Sequence, residues 1–380
     1  MKTTFSSRRG GIVAKATIPY GHQSIDNADI EAVKSVLKSD WLTQGPKIGE
    51  FERALAHYCG AKFAAAFSSG TAALHAAYFV AGMRRGDEFI TTPLTFAATS
   101  NAGLYLGARP VFADIDEYGN LDPVEAEKKI TRKTKLLAVV DYAGHPANLD
   151  KFKSLARKRK LVLIEDAAHS LGAKYKGKKI GSIADMTTFS FHPVKSITTG
   201  EGGAVATNSK IYYEKLKQFR HHGIGSRGMQ MLGFNYRLTD IHAALGISQL
   251  KKLDKFISAR KKIASRYGEA IRQNKNLLLP EEHVGVSSSW HLYPLRFAGK
   301  SANKRAEIVK KLRNAGIGAQ IHYIPVYLHP YYQKLGYKKG LCPKAEAFYE
   351  AEISLPIFPS LKNTEQNFVI KTLIKILKST

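Results

Sequence analysis

A lysine and an aspartate, each placed beyond a predicted strand, are the residues of this sequence best suited to carry chemistry. Asp166 directly follows the predicted strand at residues 161–165, and Lys195 comes after a second predicted strand at 187–191. A buried carboxylate needs a cation close by, and a desolvated lysine has a lowered pKa that frees its amine for Schiff-base formation. Considered alone, each residue has a simpler interpretation. Asp166 could be a helix cap, and Lys195 could be a solvated surface amine.

A turn that can hold a phosphate lies upstream of this pair. The segment Ser68-Ser69-Gly70-Thr71-Ala72-Ala73-Leu74 follows one predicted strand and opens a predicted helix. The bare N–H groups and the dipole of a helix N-terminus favour an anion, so this turn could hold a phosphate. A plain helix cap is the alternative for this turn alone. A second turn, Thr198-Thr199-Gly200-Glu201-Gly202-Gly203, is rich in glycine and lets the backbone pass close to a ligand.

Other kinds of site find no support in the sequence. Cys59 and Cys342 have no Cys or His at ligand spacing, so neither a disulfide framework nor a metal site is predicted, and a reducing cytoplasm fits best. The segment Gly223-Ile224-Gly225-Ser226-Arg227-Gly228 matches a dinucleotide fingerprint but follows a predicted helix where that motif requires a strand. No membrane span or secretory signal is predicted.

The elements that must position these side chains alternate between strands and helices. Strands are predicted over residues 62–67, 88–91, 110–115, 136–142, 161–165, 187–191 and 203–207. Helices are predicted between them, over residues 71–83, 95–106, 123–130, 150–159 and 211–221. This alternation is typical of an α/β fold in which crossover helices join parallel strands, and such sheets place ligands beyond the strands' carboxyl ends.

The chain of 380 residues is long enough for more than one domain. We predict a flexible basic N-terminal tail over residues 1–18, a large α/β domain over 19–255 and a small α+β domain over 256–380. Thr239 is a predicted cap of one long helix that leaves the first domain. The second domain is predicted to contain a strand at 290–297, a basic helix at 303–314, a second strand at 318–323 and terminal helices.

The composition is that of a globular protein with an unusual charge. Hydrophobic residues make up 44% of the chain, and 58 basic against 31 acidic side chains leave a net charge of +27. Such a surface attracts nucleic acid or phosphorylated small molecules, and a nucleic-acid-binding or regulatory protein is therefore a distant alternative to an enzyme. The basic residues are scattered, however, and form no recognised DNA-binding motif.

With three further segments, these residues resemble the pyridoxal-phosphate-dependent sugar aminotransferases of the DegT/DnrJ/EryC/StrS type. The further segments are Trp41-Leu42-Thr43-Gln44-Gly45, Gly233-Phe234-Asn235-Tyr236-Arg237 and Ile321-His322-Tyr323. The resemblance extends from Tyr20 to the C-terminal helices. It implies the fold-type I architecture of aspartate aminotransferase, with a mainly parallel sheet in a large domain and a smaller C-terminal α+β domain, and it implies a homodimer.

The resemblance also implies roles for individual residues. Lys195 would form the Schiff base with pyridoxal 5′-phosphate and then move the proton, while Asp166 would pair with the pyridine nitrogen. His169 would contact the ring hydroxyl and Phe96 would stack on the ring face. The phosphate would lie on the Gly70, Thr71 and Ala72 turn with the Ser190 hydroxyl, and the neighbouring subunit would contribute Asn235. The implied substrate pocket comprises Tyr20, Trp41, Leu42, Thr43, Gln44, His322, Tyr323, Ile324 and Pro325, for which packing of the core or of loops is the alternative.

Three segments are similar to a branch of the family that acts on UDP-linked sugars: Val140-Asp141-Tyr142-Ala143-Gly144, His291-Leu292-Tyr293-Pro294 and Ala351-Glu352-Ile353-Ser354-Leu355-Pro356. The expected reaction is amino transfer from an amino acid, L-glutamate by analogy, to C4 of a UDP-linked 4-keto-6-deoxy-N-acetylhexosamine, as in pseudaminic acid biosynthesis. Another keto-sugar of UDP or dTDP, with its ketone at C4 or C3, is the alternative substrate.

Overall fold

The computed structural model describes residues 18–379, so the predicted tail lies outside the described residues except for Ile18. Its strands, in chain order, are β1 (Phe63–Phe67), β2 (Glu88–Thr91), β3 (Arg109–Phe112), β4 (Thr134–Val140), β5 (Val162–Asp166), β6 (Lys174–Tyr175), β7 (Lys178–Lys179), β8 (Met186–Ser190), β9 (Gly203–Thr207), β10 (Ile224–Gly225), β11 (Gly228–Met229), β12 (Leu277–Leu278), β13 (Val286–Ser287), β14 (Tyr293–Phe297) and β15 (Glu352–Leu355).

The helices, in chain order, are α1 (Asn27–Leu37), α2 (Pro46–Cys59), α3 (Gly70–Val80), α4 (Ala98–Leu104), α5 (Pro123–Lys128), α6 (Leu149–Arg159), α7 (Lys210–Arg220), α8 (Asp240–Leu250), α9 (Leu253–Ile271), α10 (Arg305–Asn314), α11 (Pro330–Lys334), α12 (Pro343–Ala351) and α13 (Asn363–Lys378). Short 3₁₀ turns lie at Tyr142–Gly144, Gly299–Lys304 and Val326–Leu328. Over residues 18–379, none of these helices combines the length and the apolar character that crossing a lipid bilayer requires.

Seven strands form the central sheet, in the order β1-β9-β8-β5-β4-β2-β3. The five strands from β8 to β3 are parallel, and β9 runs antiparallel to both of its neighbours. The predicted α/β class with a mainly parallel sheet is therefore confirmed. Because β5 and β8 are adjacent and parallel, their carboxyl ends bring Asp166 and Ser190 to the same edge of the sheet, where α/β folds bind ligands.

The sheet is covered on both faces, which explains why a strand such as β1 is apolar along its whole length. On one face, α3 packs its small residues Ala73 and Ala76 against Met186 and Val205. On the other face, aromatic residues of α2 and α6 pack in the same cluster as Leu163 and Phe189. Because helices pack on both faces, the ends of the strands are held in place, and so is Asp166 at the carboxyl end of β5.

The single long helix predicted after Thr239 is wrong, because the structure has two helices there. Thr239 does cap α8, its hydroxyl accepting from the His242 N–H at 3.3 Å. The chain then breaks between Leu250 and Leu253, where the Lys252 ammonium turns to pair with the buried Asp29 carboxylate at 2.5 Å. The buried Asp29 charge needs a cation, and Lys252 in the break between the two helices supplies it.

Along α9 the apolar core changes. Residues at its start, such as Phe256, pack in the core of the large sheet, and those from Ile263 onward pack with the three-stranded sheet β12-β14-β15. The predicted boundary between residues 255 and 256 falls near the start of this helix and stays a prediction.

The strand predicted over residues 318–323 is also wrong. Only Gln320 makes a β-bridge, with Ser354, and the strand that pairs with β14 is β15. The reason lies in the bonds of His322, whose N–H donates to the Glu352 carboxylate at 2.8 Å and whose carbonyl accepts from the Tyr142 hydroxyl at 2.5 Å. Side chains therefore take the backbone groups that a strand would use in its ladder.

Candidate active site

Asp166 lies at the carboxyl end of β5 and is only 5% exposed. The Thr99 hydroxyl donates to its carboxylate at 2.6 Å and the Ala168 N–H at 3.2 Å. Burial raises the pKa of Asp166, while these two hydrogen bonds and the charge of Lys195 act in the opposite direction. An ionised carboxylate at this position is therefore fixed in orientation and needs a cation in front of it.

Lys195 lies in the turn that follows β8, where its N–H donates to the His192 carbonyl at 2.9 Å. Burial lowers the pKa of its ammonium to about 8, and the Asp166 charge opposes this change. A lysine with such a pKa has a useful fraction of free amine near neutral pH. The structure therefore places the two residues that the sequence singled out within electrostatic reach of each other.

The turn at the start of α3 lies beside them. Ser69 caps this helix, its hydroxyl accepting from the Ala72 N–H at 3.1 Å, so the cap takes one of the three predicted phosphate donors. Within residues 18–379 the N–H groups of Gly70 and Thr71 have no acceptor. A Cβ at Gly70 would lie 2.9 Å from the Cβ of Ser190. The glycine thus lets the turn and the Ser190 hydroxyl form one polar cradle.

His169 faces the same space. Its Nε2 is 3.1 Å from the Tyr323 hydroxyl, and its Nδ1 is buried without a partner among the described residues. Burial and the charge of Lys195 hold the pKa of His169 well below its usual range, so the ring is neutral. Phe96 is 64% exposed, and its ring centre lies 6.4 Å from that of Tyr323. A large exposed aromatic beside a buried polar cluster is a surface on which a flat ring can stack.

These features fit a planar, phosphate-bearing cofactor. The free N–H groups of the α3 turn and the Ser190 hydroxyl suit a phosphate. The Asp166 carboxylate suits a protonated ring nitrogen, and the unpartnered His169 Nδ1 suits a polar substituent of the ring.

The predicted substrate residues divide into two groups. Tyr20 and His322 are neighbours, with ring centres 5.4 Å apart, and Tyr323 reaches His169. The loop that carries Ile324 and Pro325 is tied down next to them, because the N–H of the following residue, Val326, donates to the Pro93 carbonyl at 2.9 Å.

The second group is the loop of Trp41, Leu42, Thr43 and Gln44. It lies against the start of α8, where the Leu42 carbonyl accepts from the Asp240 N–H and Thr43 bridges to Thr239. Trp41 and Leu42 are about half exposed. No contact between described residues of this chain joins this loop to Lys195, so its place in the pocket stays a prediction.

Asn235 is exposed and lies between two inward-facing aromatic residues. Phe234 and Tyr236 stack at 4.9 Å and pack against the core beside α3. The side chain of Asn235 consequently faces away from this aromatic cluster, and its role toward a neighbouring subunit stays a prediction.

Sequence reasoning missed several residues that support this site. Thr99, which holds Asp166, lies three residues after Phe96 in the helix that the TFAAT segment begins, a spacing that could have revealed it. His291 lies 4.3 Å from His169, ring centre to ring centre, but is distant in sequence. Glu352 and Ser354 bind His322 and lie in a segment noted only for its resemblance to the family. No local signal connects these two with the site.

Within the part of the chain that the structure describes, no group of three or more His, Cys, Asp or Glu side chains is placed to hold a metal ion. Cys59 and Cys342 are both buried and free.

Comparison with known proteins agrees with this geometry. The sequence profile of the DegT/DnrJ/EryC1/StrS aminotransferase family matches residues 23–374. The UDP-4-amino-4,6-dideoxy-N-acetyl-beta-L-altrosamine transaminase of Campylobacter jejuni (strain 81-176) is 42% identical, over 95% of this chain and 98% of its own. Among solved structures, Helicobacter pylori PseC, an aminotransferase of pseudaminic acid biosynthesis, superposes with a TM-score of 0.93 at 38% identity, over 96% of this chain and 100% of its own. A sugar aminotransferase from Streptococcus pneumoniae in its PLP form superposes with a TM-score of 0.91 at 32% identity, over 95% of this chain and 99% of its own.

Proposed function

The chain belongs to the DegT/DnrJ/EryC1/StrS aminotransferase family, and from that premise we propose that it transfers an amino group from L-glutamate to C4 of a UDP-linked 4-keto-6-deoxy-N-acetylhexosamine, as in pseudaminic acid biosynthesis. The proposal rests on one observation. Lys195 and Asp166 lie beside the polar cradle that the Gly70 turn forms with the Ser190 hydroxyl. The relatives that act on UDP-sugars of this kind support the choice of substrate.

The cofactor is pyridoxal 5′-phosphate. When bound, it supplies an aldehyde that condenses with amines and a ring that accepts electron density from the adjoining carbon. Its phosphate would be held by Gly70, Thr71 and the Ser190 hydroxyl, its ring nitrogen by Asp166 and its ring hydroxyl by His169. Phe96 would cover one face of the ring.

The protein's own groups do three things in this proposal. Asp166 would hold a proton on the ring nitrogen with its carboxylate, which the Thr99 hydroxyl fixes in orientation. The Lys195 amine would hold the cofactor and would carry a proton to and from the substrate carbon, for which a pKa of about 8 is well matched. The Tyr20 and His322 side chains line the entrance on the sugar side. Amino donor and keto-sugar use the same site in turn, which makes the kinetics ping-pong.

We further propose that the enzyme is a homodimer that shares its active sites. Exposed apolar side chains cluster in the loops near Asn235 and in the loop of residues 41–44; they include Ile224, Met229, Leu232, Trp41 and Leu42. A second copy of the chain would cover these side chains and bring its Asn235 to the cofactor. The two free, buried cysteines agree with a reducing cytoplasm.

Subunit exchange tests the shared site. Asn235→Asp places a negative charge near the cofactor phosphate and is expected to inactivate the enzyme, as is Lys195→Ala. Mixing the two inactive variants through mild denaturation and refolding should restore about a quarter of wild-type activity, since half of the dimers are hybrids with one intact site. As the matched control, Lys195→Ala is mixed with wild-type protein, and the mixture is taken through the same denaturation and refolding. Absence of recovery, with dimers seen by sedimentation, would contradict the role of Asn235.

A panel of sugars tests the substrate. We expect the highest kcat/KM with the UDP-linked 4-keto-6-deoxy-N-acetylhexosamine, measured as conversion of glutamate to 2-oxoglutarate. The dTDP analogue and 3-keto sugars should be at least about tenfold poorer, because each lost polar contact in a pocket costs about this factor. Preference for a 3-keto or dTDP sugar would replace the proposed substrate with the alternative one. Transamination of no sugar in the panel would contradict the proposed function itself.

A further inference from the structure

A buried hydrogen-bonded chain connects Glu352 with His322. Glu352 is completely buried in β15, and one of its carboxylate oxygens, Oε2, accepts from the His322 N–H at 2.8 Å. The other oxygen, Oε1, is 2.5 Å from the Ser354 hydroxyl. Ser354 Oγ in turn is 2.8 Å from the Nδ1 atom of the His322 ring. A carboxyl, a hydroxyl and an imidazole nitrogen therefore follow one another in line.

The far nitrogen of the His322 ring, Nε2, is left open for a ligand. Nε2 has no hydrogen-bond partner among the described residues. It is not fully buried, so solvent or a ligand can reach it. The ring lies beside Tyr20 and is sensitive to the charge of Lys195. Burial lowers the pKa of His322 to about 3, so the ring is neutral and carries one N–H, on either Nδ1 or Nε2.

The proton on Glu352 determines which nitrogen carries that N–H. If the carboxylate is ionised, Ser354 donates to it and must accept from the ring, which puts the N–H on Nδ1 and leaves Nε2 bare. If Glu352 is protonated, its Oε1–H donates to Ser354, whose hydroxyl then donates to Nδ1 and leaves the N–H on Nε2. We propose that Glu352 and Ser354 are positioning residues that select the tautomer of His322, and so decide whether Nε2 donates or accepts a hydrogen bond on the sugar side of the site.

The surroundings of Glu352 favour its neutral form near neutral pH. Burial raises its pKa to about 8, against the hydrogen bonds from Ser354 and His322 and the charge of Arg305. The titratable and charged groups that face it from the neighbouring elements are Arg305 of α10, His322 and Tyr323 of the loop, Tyr142, and Arg296, its cross-strand neighbour on β14. Within residues 18–379 none of these cations lies at ion-pair distance from Glu352. At neutral pH, Nε2 of His322 is therefore a donor, and it becomes an acceptor as Glu352 loses its proton.

Nitrogen NMR of the ¹⁵N-histidine-labelled holoenzyme tests this directly, with the His322 signals assigned from a His322→Asn variant. In wild type, the N–H should move from Nε2 to Nδ1 between about pH 6 and about pH 10. In Glu352→Gln, the amide oxygen accepts from the His322 N–H and the amide nitrogen donates to Ser354, so the N–H should stay on Nε2 throughout. In Ser354→Ala, the matched control, the tautomer should no longer follow pH. The same tautomer in wild type at both ends of this range would overturn the proposal.

A kinetic measurement, which rests on the proposed function, gives the consequence for catalysis. If Nε2–H donates to an oxygen of the sugar, the KM of wild type for the keto-sugar should rise about tenfold above pH 9 relative to Glu352→Gln at the same pH, while kcat changes little. Equal KM values in both proteins at high pH would overturn the role in sugar binding. Failure of the proposed function would appear as absent turnover in wild type, and the NMR result does not depend on it.

Discussion

Lys195→Ala is expected to lower kcat by about 10³-fold or more, since a positioned proton-transfer group alone contributes about 10²–10⁴-fold. Among the described residues around Asp166 and His169, Lys195 carries the only amine that could react with the cofactor aldehyde. The variant removes that amine. It should fold normally, because Lys195 lies in a turn and its backbone bond to His192 does not use the side chain.

Two measurements check this expectation. Borohydride reduction of wild type should fix the cofactor to the peptide that contains Lys195, and the variant should give no labelled peptide. Lys153→Ala, the same change at an exposed lysine of α6, should retain both labelling and turnover. Retention of steady-state activity by Lys195→Ala, or labelling of another lysine in wild type, would remove the proposed mechanism.

Asp166→Asn is expected to lower kcat by about 10³-fold, because a neutral amide does not hold a proton on the ring nitrogen and removal of such a group costs about as much as loss of a general acid–base. The fold should tolerate the change. The amide keeps the size of the carboxylate, and the Thr99 hydroxyl can rotate to accept from it. Cofactor affinity should fall less than kcat, since the phosphate cradle at Gly70 and Ser190 is unchanged.

The decisive measurement for Asp166 is a comparison of three proteins at saturating cofactor. Asp166→Glu, which keeps the charge at a shifted position, should recover part of the lost kcat. Asp150→Asn, the same substitution at an exposed aspartate paired with Lys176, should behave as wild type. If Asp166→Asn turned over at the wild-type rate with cofactor bound, the carboxylate would have no part in holding the ring proton.

Neighbouring carboxylates show why position matters more than residue type. Glu165 directly precedes Asp166, yet alternation along β5 turns it to the opposite face, where the Thr187 hydroxyl donates to it at 2.8 Å. Burial and the nearby Asp141 raise the pKa of Glu165 well above its usual range. Of two adjacent acids on one strand, only Asp166 faces the lysine.

The residues that the sequence could identify are those whose role follows from local pattern. Runs of apolar and β-branched residues marked β5 and β8, and the rule that ligands lie beyond strand ends then selected Asp166 and the segment that leads to Lys195. The Ser69 cap and the glycine after it marked the turn at α3. Sequence reasoning erred at residues 318–323, where a strand was predicted although distant side chains take the backbone bonds of His322.

The sequence by itself determined the chemistry of this protein: an amine, a carboxylate and a phosphate-binding turn, each marked by its own strand end or helix start. Only the tertiary structure decided which of these groups meet, because the order of strands in a sheet is set by packing between segments far apart in the chain. It placed β8 next to β5 and brought Glu352 and Tyr142 to the backbone of His322. Such contacts cannot be predicted from local sequence, because the residues around one partner do not indicate which distant residue it will contact.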